Sequence, residues 1–487
     1  MNELTTLDKK KTVVSYLLRN KILVTSDILT KLNQPDYLER LHGMSEQEAP
    51  VRHTDIVDVK EAPQVIIEKD PMVPGRKVSV DDFVQYFRQR YRQLQRILTE
   101  RQDLQGAIGI NRLKDRKDRE RVTIIGYIYD KQETKNGNLI FTVEDTSGIT
   151  KAIVTKGREE LFKQARDLQL DTVVGLAGQC AENAIFVSDI IIPDIPVTHE
   201  LKKSPAEEYI VILSDCHVGS NNFLGDELWR CVRWLRGELG TPKQRAIAAK
   251  ITHVFIVGDM VDGIGIYPAQ EKELIITDIH EQYKVFMDYV KKIPSSMRIV
   301  ICPGNHDALR LAEPQPRLPE ELAPELYTLP NVTMIGSPSL LTICRGPAFN
   351  GFDVLLYHGY SYDVYGDRVE SIRESGRNVS DRVGPVMKYL LQQRHLNPTY
   401  DTKTPFMITP DKDAMVIEKV PDFFFSGHIH KAASINYRGV TIIAGSCWQS
   451  RTAFQEKFGH NPEPCKVPIV NLQTREVTIL NFGEEGA

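Results

Sequence analysis

The sequence predicts a mixed chain with an α/β domain in its second half, an all-β domain before it and a small helical region at the N-terminus. From about residue 209 onward, short apolar runs alternate with segments of helical periodicity, a pattern typical of α/β domains. Between residues 121 and 195, short β-rich runs are separated by turn sequences, which predicts an all-β domain. With 487 residues, 41% of them hydrophobic, the chain is long enough for two to four domains with their own cores.

The composition excludes several classes of protein. No run approaches 18 consecutive apolar residues, so the sequence predicts no membrane span. The first residues lack the apolar stretch of a signal peptide, and together these features predict a cytoplasmic protein. The seven cysteines are scattered and never form a CxxC pair, which disfavours a disulfide framework or a zinc ribbon. The formal net charge of −4 does not indicate a nucleic-acid binder, although such a sum can hide a local basic patch.

The first 78 residues are predicted to hold two kinds of structure. In residues 1–41, apolar side chains recur at helical spacing, which predicts a small helical region. Packing or docking is the simplest role for it, and DNA binding is an alternative that no base-reading cluster supports. Residues 42–78 are rich in proline and acidic side chains with little periodicity, so they are predicted to form a flexible linker.

Residues 79–200 are predicted to form a helix followed by a five-stranded barrel. Ser79 and Asp82 have the spacing of a capping box at the start of the helix. Five β-rich runs follow, with a helical segment between the third and the fourth, and this order is that of the OB-fold. OB-folds bind single-stranded nucleic acid or dock other proteins. Docking is slightly favoured here, because few aromatic side chains are available for base stacking beyond Tyr127, Tyr129 and Phe141.

A local basic excess lies between Arg88 and Arg121. This stretch contains eleven Lys and Arg residues against five Asp and Glu residues, a local net charge of +6. Such a run is commonly a solvated helix face, but contact with nucleic-acid phosphates also requires this kind of excess. The sequence is compatible with both interpretations.

Residues 201–487 contain five apolar runs, each ending in side chains that commonly bind metal ions. The runs are YIVILSD, HVFIVGD, RIVICPG, DVLLYHG and DFFFSGH, and their length predicts buried strands. The polar side chains at their ends are Asp215, His217, Asp259, Asp262, Asn305, His306, His358, His428 and His430. Because ligand sites of open α/β sheets lie outside the carboxyl ends of the strands, we expect these loops to converge.

The residue types predict a site for two divalent ions. Carboxylate and imidazole ligands suit Mn²⁺, Fe²⁺ or Zn²⁺, and no thiolate is needed. Seven ligand-type side chains exceed the needs of one ion, so a second ion that shares a bridging carboxylate is expected. Two such ions stabilise the attacking and leaving oxygens of a phosphoryl displacement. Mn²⁺ is the first expectation, with Fe²⁺, Zn²⁺ and Mg²⁺ as alternatives.

In chain order, the motifs D-x-H, G-D-x-x-D, G-N-H-D, H-G and G-H-x-H resemble those of the calcineurin-like metallophosphoesterase superfamily, over roughly residues 209–450. The resemblance implies a four-layer αββα fold, in which two stacked sheets are flanked by helices. It implies that one ion is held by Asp215, His217, Asp259 and His430. It implies that the other ion is held by Asp259, Asn305, His358 and His428. By the same resemblance, His306 is the general acid and Asp262 orients it.

The surrounding sequence narrows the resemblance to one family. Gly263 and Asp307 stand where Ser/Thr protein phosphatases have Arg and Glu, which disfavours a phosphomonoesterase. A helical N-terminus, an OB-like domain and an intact phosphoesterase together resemble the small, proofreading subunit of the archaeal D-family DNA polymerase. The segments SYDVYGDR, QQRHLNPTYDTKTPF and WQSRTAFQEKFGHNPEPCKVPIVNL are similar to that family and are not needed for metal binding.

The resemblance implies a 3′→5′ exonuclease that removes mispaired nucleotides from the DNA primer end. A large catalytic subunit is the implied partner, because no polymerase motif can be placed in this chain. The sliding clamp is a further candidate partner, although no Gln-x-x-apolar-x-x-aromatic-aromatic motif is evident. Two alternatives stay open, namely a catalytically silent scaffold of the polymerase and a repair-type nuclease of the same superfamily.

Two further surfaces are predicted near the metal motifs. Residues 360–404, with few apolar positions, are expected to form either a surface insertion without a further role or a flap over the site that contacts DNA phosphates. The arginines of this insertion are Arg368, Arg373, Arg377, Arg382 and Arg394. The aromatic tail is expected to belong either to the core or to a contact with the large subunit. The aromatic residues of that tail are Trp448, Phe454 and Phe458.

Overall fold

The computed structural model describes residues 10, 13, 31–38, 64–71, 77–182, 184–400, 402, 404–409, 411–457 and 459–483. The chain divides into two compact units, Met1–Ala62 and Pro63–Ala487, and the fold described below is that of the second unit. Most of the predicted N-terminal helical region lies outside the described residues. Among the described residues, no helix has the length and apolar character that crossing a membrane requires.

Helix α1 (Val80–Thr99) begins where the capping pattern predicts. Ser79 accepts a hydrogen bond from the backbone N–H of Asp82, whose carboxylate accepts one from Ser79 N in return. The apolar side of the helix packs against the strands that follow, and Tyr91 donates a hydrogen bond to the carbonyl of Ile125 at 2.9 Å. The capping box and this packing together fix the helix on the barrel.

Five strands and one helix follow in the predicted order, with the helix between the third and the fourth strand. They are β2 (Arg121–Glu133), β3 (Leu139–Glu144), β4 (Ile149–Val154), α2 (Glu159–Asp167), β5 (Val173–Ala181) and β6 (Ala184–Ile191). The strands close into a barrel in the order β2-β3-β4-β6-β5. Alternating apolar side chains such as Leu139, Phe141 and Val143 on β3 fill its interior. Closure leaves no free sheet edge in this barrel.

The remaining strands form two six-stranded sheets. The first sheet has the order β10-β9-β8-β7-β16-β17. Its strands are β7 (Tyr209–Leu213), β8 (Ile251–Val257), β9 (Arg298–Cys302), β10 (Val332–Met334), β16 (Lys466–Asn471) and β17 (Val477–Asn481). The second sheet has the order β1-β11-β12-β13-β15-β14. Its strands are β1 (Val65–Lys69), β11 (Ser339–Ile343), β12 (Phe352–Leu356), β13 (Phe423–Ser426), β14 (Ala433–Tyr437) and β15 (Val440–Ala444).

The five apolar runs of the sequence are strands of these sheets, three in the first and two in the second. β7, β8 and β9 are mutually parallel, and β12 is parallel to β13, so within each sheet the carboxyl ends lie at one edge. One apolar cluster joins side chains of both sheets, including Phe255 and Val300 from the first and Phe352 and Phe425 from the second. The two sheets therefore share a common core.

Helices cover the remaining faces and contribute to two further apolar clusters. The helices are α3 (Gly225–Leu235), α4 (Pro242–Ala248), α5 (Ile279–Val290), α6 (Pro324–Thr328), α7 (Tyr362–Arg368), α8 (Glu370–Arg373), α9 (Val383–Gln393) and α10 (Ala453–Lys457). All seven cysteines are free, as the sequence predicted, and Cys216 is buried in the cluster formed with α3 and α5.

Two predictions about irregular segments are wrong. β1 lies inside the predicted linker 42–78, where Val65 pairs with Ile343 in an antiparallel ladder. The sequence did not predict this strand, because so short a run can pair through its backbone without a clear alternation of apolar and polar side chains. The predicted insertion 360–404 is not poor in apolar positions, since α9 is buried through Val386, Met387 and Leu390. The α9 part of this segment therefore belongs to the core.

A buried ion pair anchors α1 to the second sheet's side of the molecule. Arg90, 1% exposed, donates to Asp413 at 2.6 Å, and His395 Nε2 lies 2.9 Å from the same carboxylate. Burial alone would raise the pKa of Asp413, but Arg90 and His395 hold it well below its usual range. The carboxylate is thus charged and paired at neutral pH.

We expect Asp413→Ala to lower the free energy of unfolding by about 3–5 kcal/mol, because it leaves the Arg90 charge buried without its partner. Since the pKa of Asp413 is depressed in the folded state, its contribution is present above the unfolded value of about 4 and is lost as the pH falls. Urea unfolding at pH 7 and pH 3 measures both effects. The exposed neighbour Asp411→Ala is the control, and an equal loss in both variants would contradict the role of the pair.

Candidate metal centre

The ligand-type side chains lie in the loops that follow the buried strands. Asp215 and His217 follow β7, Asp259 follows β8, Asn305 follows β9, His358 follows β12, and His428 and His430 follow β13. Five of these seven residues have positive φ, with values of 52° at Asp215, 49° at His217, 49° at Asp259, 71° at His428 and 58° at His430. Such conformations cost about 1–3 kcal/mol each and concentrate at functional sites. Here they turn the side chains of successive loops toward one another.

The first group of side chains is formed by Asp215, His217 and His430. Nε2 of His217 lies 3.0 Å from Nε2 of His430, and His430 Nε2 lies 3.4 Å from an oxygen of Asp215. The Asp215 carboxylate also accepts a hydrogen bond from the backbone N–H of His428 at 3.0 Å. All three side chains are buried, so their donor atoms face each other rather than water.

The second group is formed by Asp259, His358 and His428, with Asn305 between the two histidines. Oδ1 of Asn305 lies 3.1 Å from His358 Nε2 and 2.9 Å from His428 Nδ1. Oδ2 of Asp259 lies 3.2 Å from His358 Nε2 and 3.8 Å from His217 Nε2. Asp259 therefore contacts both groups, the position expected of a shared ligand.

His306 and Asp262 lie beside the first group, and Asp262 contacts His306 through its main chain. His306 Nδ1 donates to the backbone carbonyl of Asp262 at 2.8 Å, and His306 N donates to Asp259 at 2.7 Å. The carboxylate of Asp262 instead accepts a hydrogen bond from His217 Nδ1 at 2.9 Å. Asp262 thus orients the His306 ring with its backbone carbonyl and the His217 ring with its carboxylate.

The charges of the site are strongly coupled. Burial alone would raise the pKa values of both carboxylates. His430 instead holds the pKa of Asp215 below its usual range, and His358 does the same for Asp259. Burial alone would lower the pKa of His358, but the Asp259 carboxylate raises it to about 10. The buried carboxylates of Asp215 and Asp259 therefore favour a positive charge within the site.

The donor set fits divalent metal ions. Two imidazole nitrogens that face each other at 3.0 Å cannot both carry a proton, and a cation between them removes the conflict. On the far side of the rings, His217 Nδ1 donates to Asp262 and His358 Nδ1 donates to the carbonyl of Val257 at 2.9 Å. These hydrogen bonds fix the Nδ1 proton of both rings, so Nε2 is the nitrogen that gives up its proton when a cation binds, the arrangement typical of metal-binding histidines.

Comparisons with known proteins agree with this geometry. The family model that describes the B-subunits of DNA polymerases alpha and epsilon matches residues 210–434, which include all seven ligand-type residues. The DNA polymerase II small subunit of Methanothermobacter thermautotrophicus is 37% identical over 392 residues, covering 80% of this chain and 78% of that protein. That of Thermoplasma acidophilum is 33% identical over 97% of this chain and 93% of its own. The chain belongs to the family of archaeal DNA polymerase II small subunits.

The same relationship extends to the small subunit of Methanocaldococcus jannaschii, which is 37% identical over 83% of this chain and 66% of its own length. The family predicted from the sequence is therefore confirmed. Membership in this family does not by itself assign a reaction to these side chains.

Several residues that support the site were not singled out from the sequence. Asp363 accepts a hydrogen bond from His428 Nε2 at 3.1 Å, and Gln449 donates to the Asp262 carboxylate at 2.9 Å. The amide nitrogen of Gln455 lies 2.9 Å from His430 Nδ1. Asp363 lies in SYDVYGDR and both glutamines lie in WQSRTAFQ, two of the segments that carried the family resemblance. The similarity of these two segments to the family, outside the metal motifs, was the signal in the sequence that could have identified these three residues.

The predicted DNA-binding arginines are not equivalent in the structure. Arg368, Arg373 and Arg377 are exposed, whereas the side chain of Arg382 is 15% exposed and lies against Asp367 at 3.5 Å. Arg394 is buried at the end of α9 and donates to the carbonyls of Ile417 and Glu418. The expectation that Arg394 contacts DNA is therefore wrong, because its guanidinium group holds the backbone of the core.

The aromatic tail divides in a similar way. Trp448 is 2% exposed and packs against Phe482, with 6.4 Å between ring centroids. Its predicted contact with a partner is therefore wrong for the side chain, which is part of the apolar cluster on the first sheet. The side chain of Phe454 and all of Phe458 lie outside the described residues, so their predicted role stays a prediction.

Glycines in the ligand loops allow the side chains to approach the backbone closely. A Cβ atom at Gly304 would lie 2.2 Å from Oδ1 of Asp259 and 2.5 Å from its backbone nitrogen. We therefore expect Gly304→Ala to displace Asp259 and weaken metal binding about 10- to 100-fold. Metal titration followed by calorimetry measures this change. Gly157→Ala is the control because a Cβ there meets nothing within 4 Å, and equal affinities in both variants would exclude the steric explanation.

Proposed function

We propose that this small subunit is a two-metal 3′→5′ DNA exonuclease that proofreads the primer end beside a large, polymerising subunit. The observation that carries the proposal is the convergence of seven ligand-type side chains, five of which line one cavity of about 260 Å³ together with His306. Its relatives bear the name of a small subunit of a DNA polymerase, and a replicative polymerase requires removal of mispaired nucleotides.

The fold assignment is part of the same proposal. The closed barrel of five strands with a helix after the third is consistent with an OB-fold. Two sheets with a shared core and helices on their outer faces are consistent with the four-layer αββα metallophosphoesterase fold. Within this proposal, residues 1–41 are a helical region, residues 79–200 form the barrel domain with its helix, and residues 201–487 form the nuclease domain.

Two divalent ions, Mn²⁺ first among the candidates, would activate water and neutralise the negative charge of the scissile phosphate. Asp215, His217, Asp259 and His430 would hold one of them. Asp259, Asn305, His358 and His428 would hold the other. Both sets combine carboxylate or amide oxygens with imidazoles, and the described site contains no thiolate, which favours Mn²⁺ or Fe²⁺ as much as Zn²⁺.

His306 is suited to protonate the leaving oxygen. Its Nδ1 is occupied by the carbonyl of Asp262, so Nε2 is the nitrogen available for proton transfer, and the ring lines the cavity. In hydrolysis, the oxygen of water forms a new bond to phosphorus and the bond from phosphorus to the 3′ oxygen breaks. The 3′ oxygen of the shortened strand takes the proton from His306, and the terminal nucleotide leaves with a 5′ phosphate.

The proposed partners follow from the family. The large subunit would carry out synthesis, and the DNA primer end would enter the metal cavity from the side of Tyr360 and His460, which line it. A sliding clamp is a third candidate, because replicative polymerases act on long templates, and it stays a prediction from the family alone.

The decisive experiment incubates the purified chain, alone and with the large subunit, with Mn²⁺ and a 3′-mismatched primer on a template. Stepwise shortening from the 3′ end that EDTA abolishes is the expected result. No shortening under either condition would support a catalytically silent scaffold instead. Internal cuts would support a repair-type endonuclease, and both results would overturn the proposal.

The exposed arginines near α8 provide a test of DNA contact. Arg373 and Arg377 are exposed on the segment that lines one side of the site, and a protein that contacts DNA phosphates releases counterions as it binds. We expect the double substitution Arg373→Glu and Arg377→Glu to weaken primer binding and to reduce the salt slope of log Kd by about 1–2. Fluorescence anisotropy between 50 and 200 mM salt measures the slope. An unchanged slope would place the DNA elsewhere.

A further inference from the structure

A second cavity, larger than the first, adjoins the metal cavity. Its volume is about 600 Å³, against about 260 Å³ for the cavity at the ligands. The two cavities share four wall residues, Tyr360, Asp363, Ile429 and His460. Pockets that bind small organic molecules usually measure about 300–1,000 Å³, so only the second cavity has room for a nucleoside.

The walls of the second cavity combine apolar surface with the side chain of one arginine. Tyr362, Val383 and Val386 are buried core residues whose side chains line it. Arg382 lies among them, and its Nη1 contacts the carbonyl of Gly366 at 3.3 Å and Asp367 at 3.5 Å. The Arg382 side chain is 15% exposed and lines the cavity, so a polar atom of a ligand there can contact it.

We propose that the second cavity binds the nucleoside of the 3′-terminal nucleotide, while its phosphate lies at the metal centre. The inference rests on the proposed exonuclease function and assigns the substrate group that this neighbouring space accepts. Apolar walls suit the faces of a base, and the Arg382 guanidinium group suits a base carbonyl or ring nitrogen. Tyr360, partly exposed at the junction, lies against His428 with 5.9 Å between ring centroids and suits the sugar or base entering the cavity.

The size of the second cavity and the residues on its wall favour binding of a nucleoside there over binding of the phosphate backbone. The carboxylates of Asp363 and Asp367 on the wall of the cavity offset the positive charges of Arg368 and Arg382, so the wall lacks the excess of positive charge that a second phosphate requires. Asp363 contacts His428 and Asp367 contacts Arg382. A neutral base is therefore the part of a nucleotide that fits best.

Gly366 offers a direct way to fill the cavity. It lies in α7 and lines the cavity, and a Cβ atom at this position would meet only Val386 at 3.8 Å and Arg382 at 4.0 Å. These are ordinary van der Waals distances, so a larger side chain can extend into the cavity without displacing backbone. Gly366→Phe should occupy the space of a base, and Gly366→Ala should take up only one methyl group of it.

The test compares two chromogenic phosphodiesters in the presence of Mn²⁺. Thymidine 5′-(4-nitrophenyl phosphate) carries the nucleoside, and methyl 4-nitrophenyl phosphate does not. We expect Gly366→Phe to lower kcat/KM for the nucleoside ester at least about tenfold more than for the methyl ester. Gly157→Phe, at an exposed glycine with no neighbour within 4 Å of its Cβ, is the matched control and should leave the ratio unchanged. Equal changes for both esters in Gly366→Phe would overturn the inference.

Binding of thymidine 5′-monophosphate separates this inference from the proposed reaction. Calorimetry with the full chain and Mn²⁺ is expected to show binding that Gly366→Phe abolishes and Arg382→Met weakens about tenfold. This result would support the nucleoside site even in a chain that cleaves neither ester, in which case the exonuclease proposal alone fails. Binding that neither substitution alters would overturn the nucleoside site, whatever the activity. Arg382→Met keeps the apolar stem, so it decides the outcome if Gly366→Phe does not fold.

Discussion

Replacement of Asp259 by alanine is expected to remove both metal ions and with them the hydrolytic activity. Asp259 is the carboxylate that contacts both groups of the site, through distances of 3.2 Å to His358 and 3.8 Å to His217. Its other oxygen accepts the backbone N–H of His306 at 2.7 Å, so its loss also releases the loop after β9. Without it, His358 also loses the negative charge that raises its pKa to about 10.

The expected magnitude is large. Metal ions supply several kcal/mol of charge stabilisation in phosphoryl displacement, and each 1.36 kcal/mol is a factor of ten, so the rate should fall about 10³-fold or more. Elemental analysis should show fewer than two bound ions per chain, falling toward none. Asp189→Ala, an exposed aspartate on β6, is the control and should retain both ions. A full complement of ions in Asp259→Ala would mean that Asp259 is not the shared ligand.

The convergence of the ligand-type side chains could be predicted from the sequence because these residues follow strands that are unmistakably apolar. Runs such as YIVIL and FFFS are too short and too apolar for anything but buried strands, and parallel neighbours bring their carboxyl ends together. The backbone conformations could not be predicted in the same way. Positive φ at Asp215, Asp259 and His428 is imposed by the surrounding fold, because Asp and His adopt such a φ more often than most residues but still only at a small minority of positions.

Contacts between distant segments were the other part that the sequence could not supply. Asp262 was expected to orient His306, but which of its groups does so was not predictable. Its backbone carbonyl contacts His306, whereas its carboxylate accepts hydrogen bonds from His217 and from Gln449, which is 187 residues further along the chain. Likewise, the arginines of residues 360–404 were grouped by charge, although burial separates Arg394 from exposed Arg377. Charge is visible in a sequence, whereas burial depends on which helix face meets the sheet.

His306→Ala should have a different effect from Asp259→Ala, and this difference assigns the two roles. The His306 ring contacts the protein through Nδ1, which donates to the carbonyl of Asp262. The backbone N–H that holds Asp259 is unchanged by the substitution, so both ions should stay bound. The variant then lacks only the group that protonates the leaving 3′ oxygen, and its turnover should fall about 10²–10⁴-fold, the usual range for a general acid.

A leaving group that needs no protonation sharpens the test. 4-Nitrophenolate leaves without a proton, so His306→Ala should lose far less activity on thymidine 5′-(4-nitrophenyl phosphate) than on a DNA strand. His280→Ala, an exposed histidine on α5, is the control and should leave both activities unchanged. If His306→Ala lost its ions, or lost activity equally on both substrates, His306 would be a part of the metal site rather than the acid. Because its ring lies 4.6 Å from that of His217, only this comparison separates the two roles.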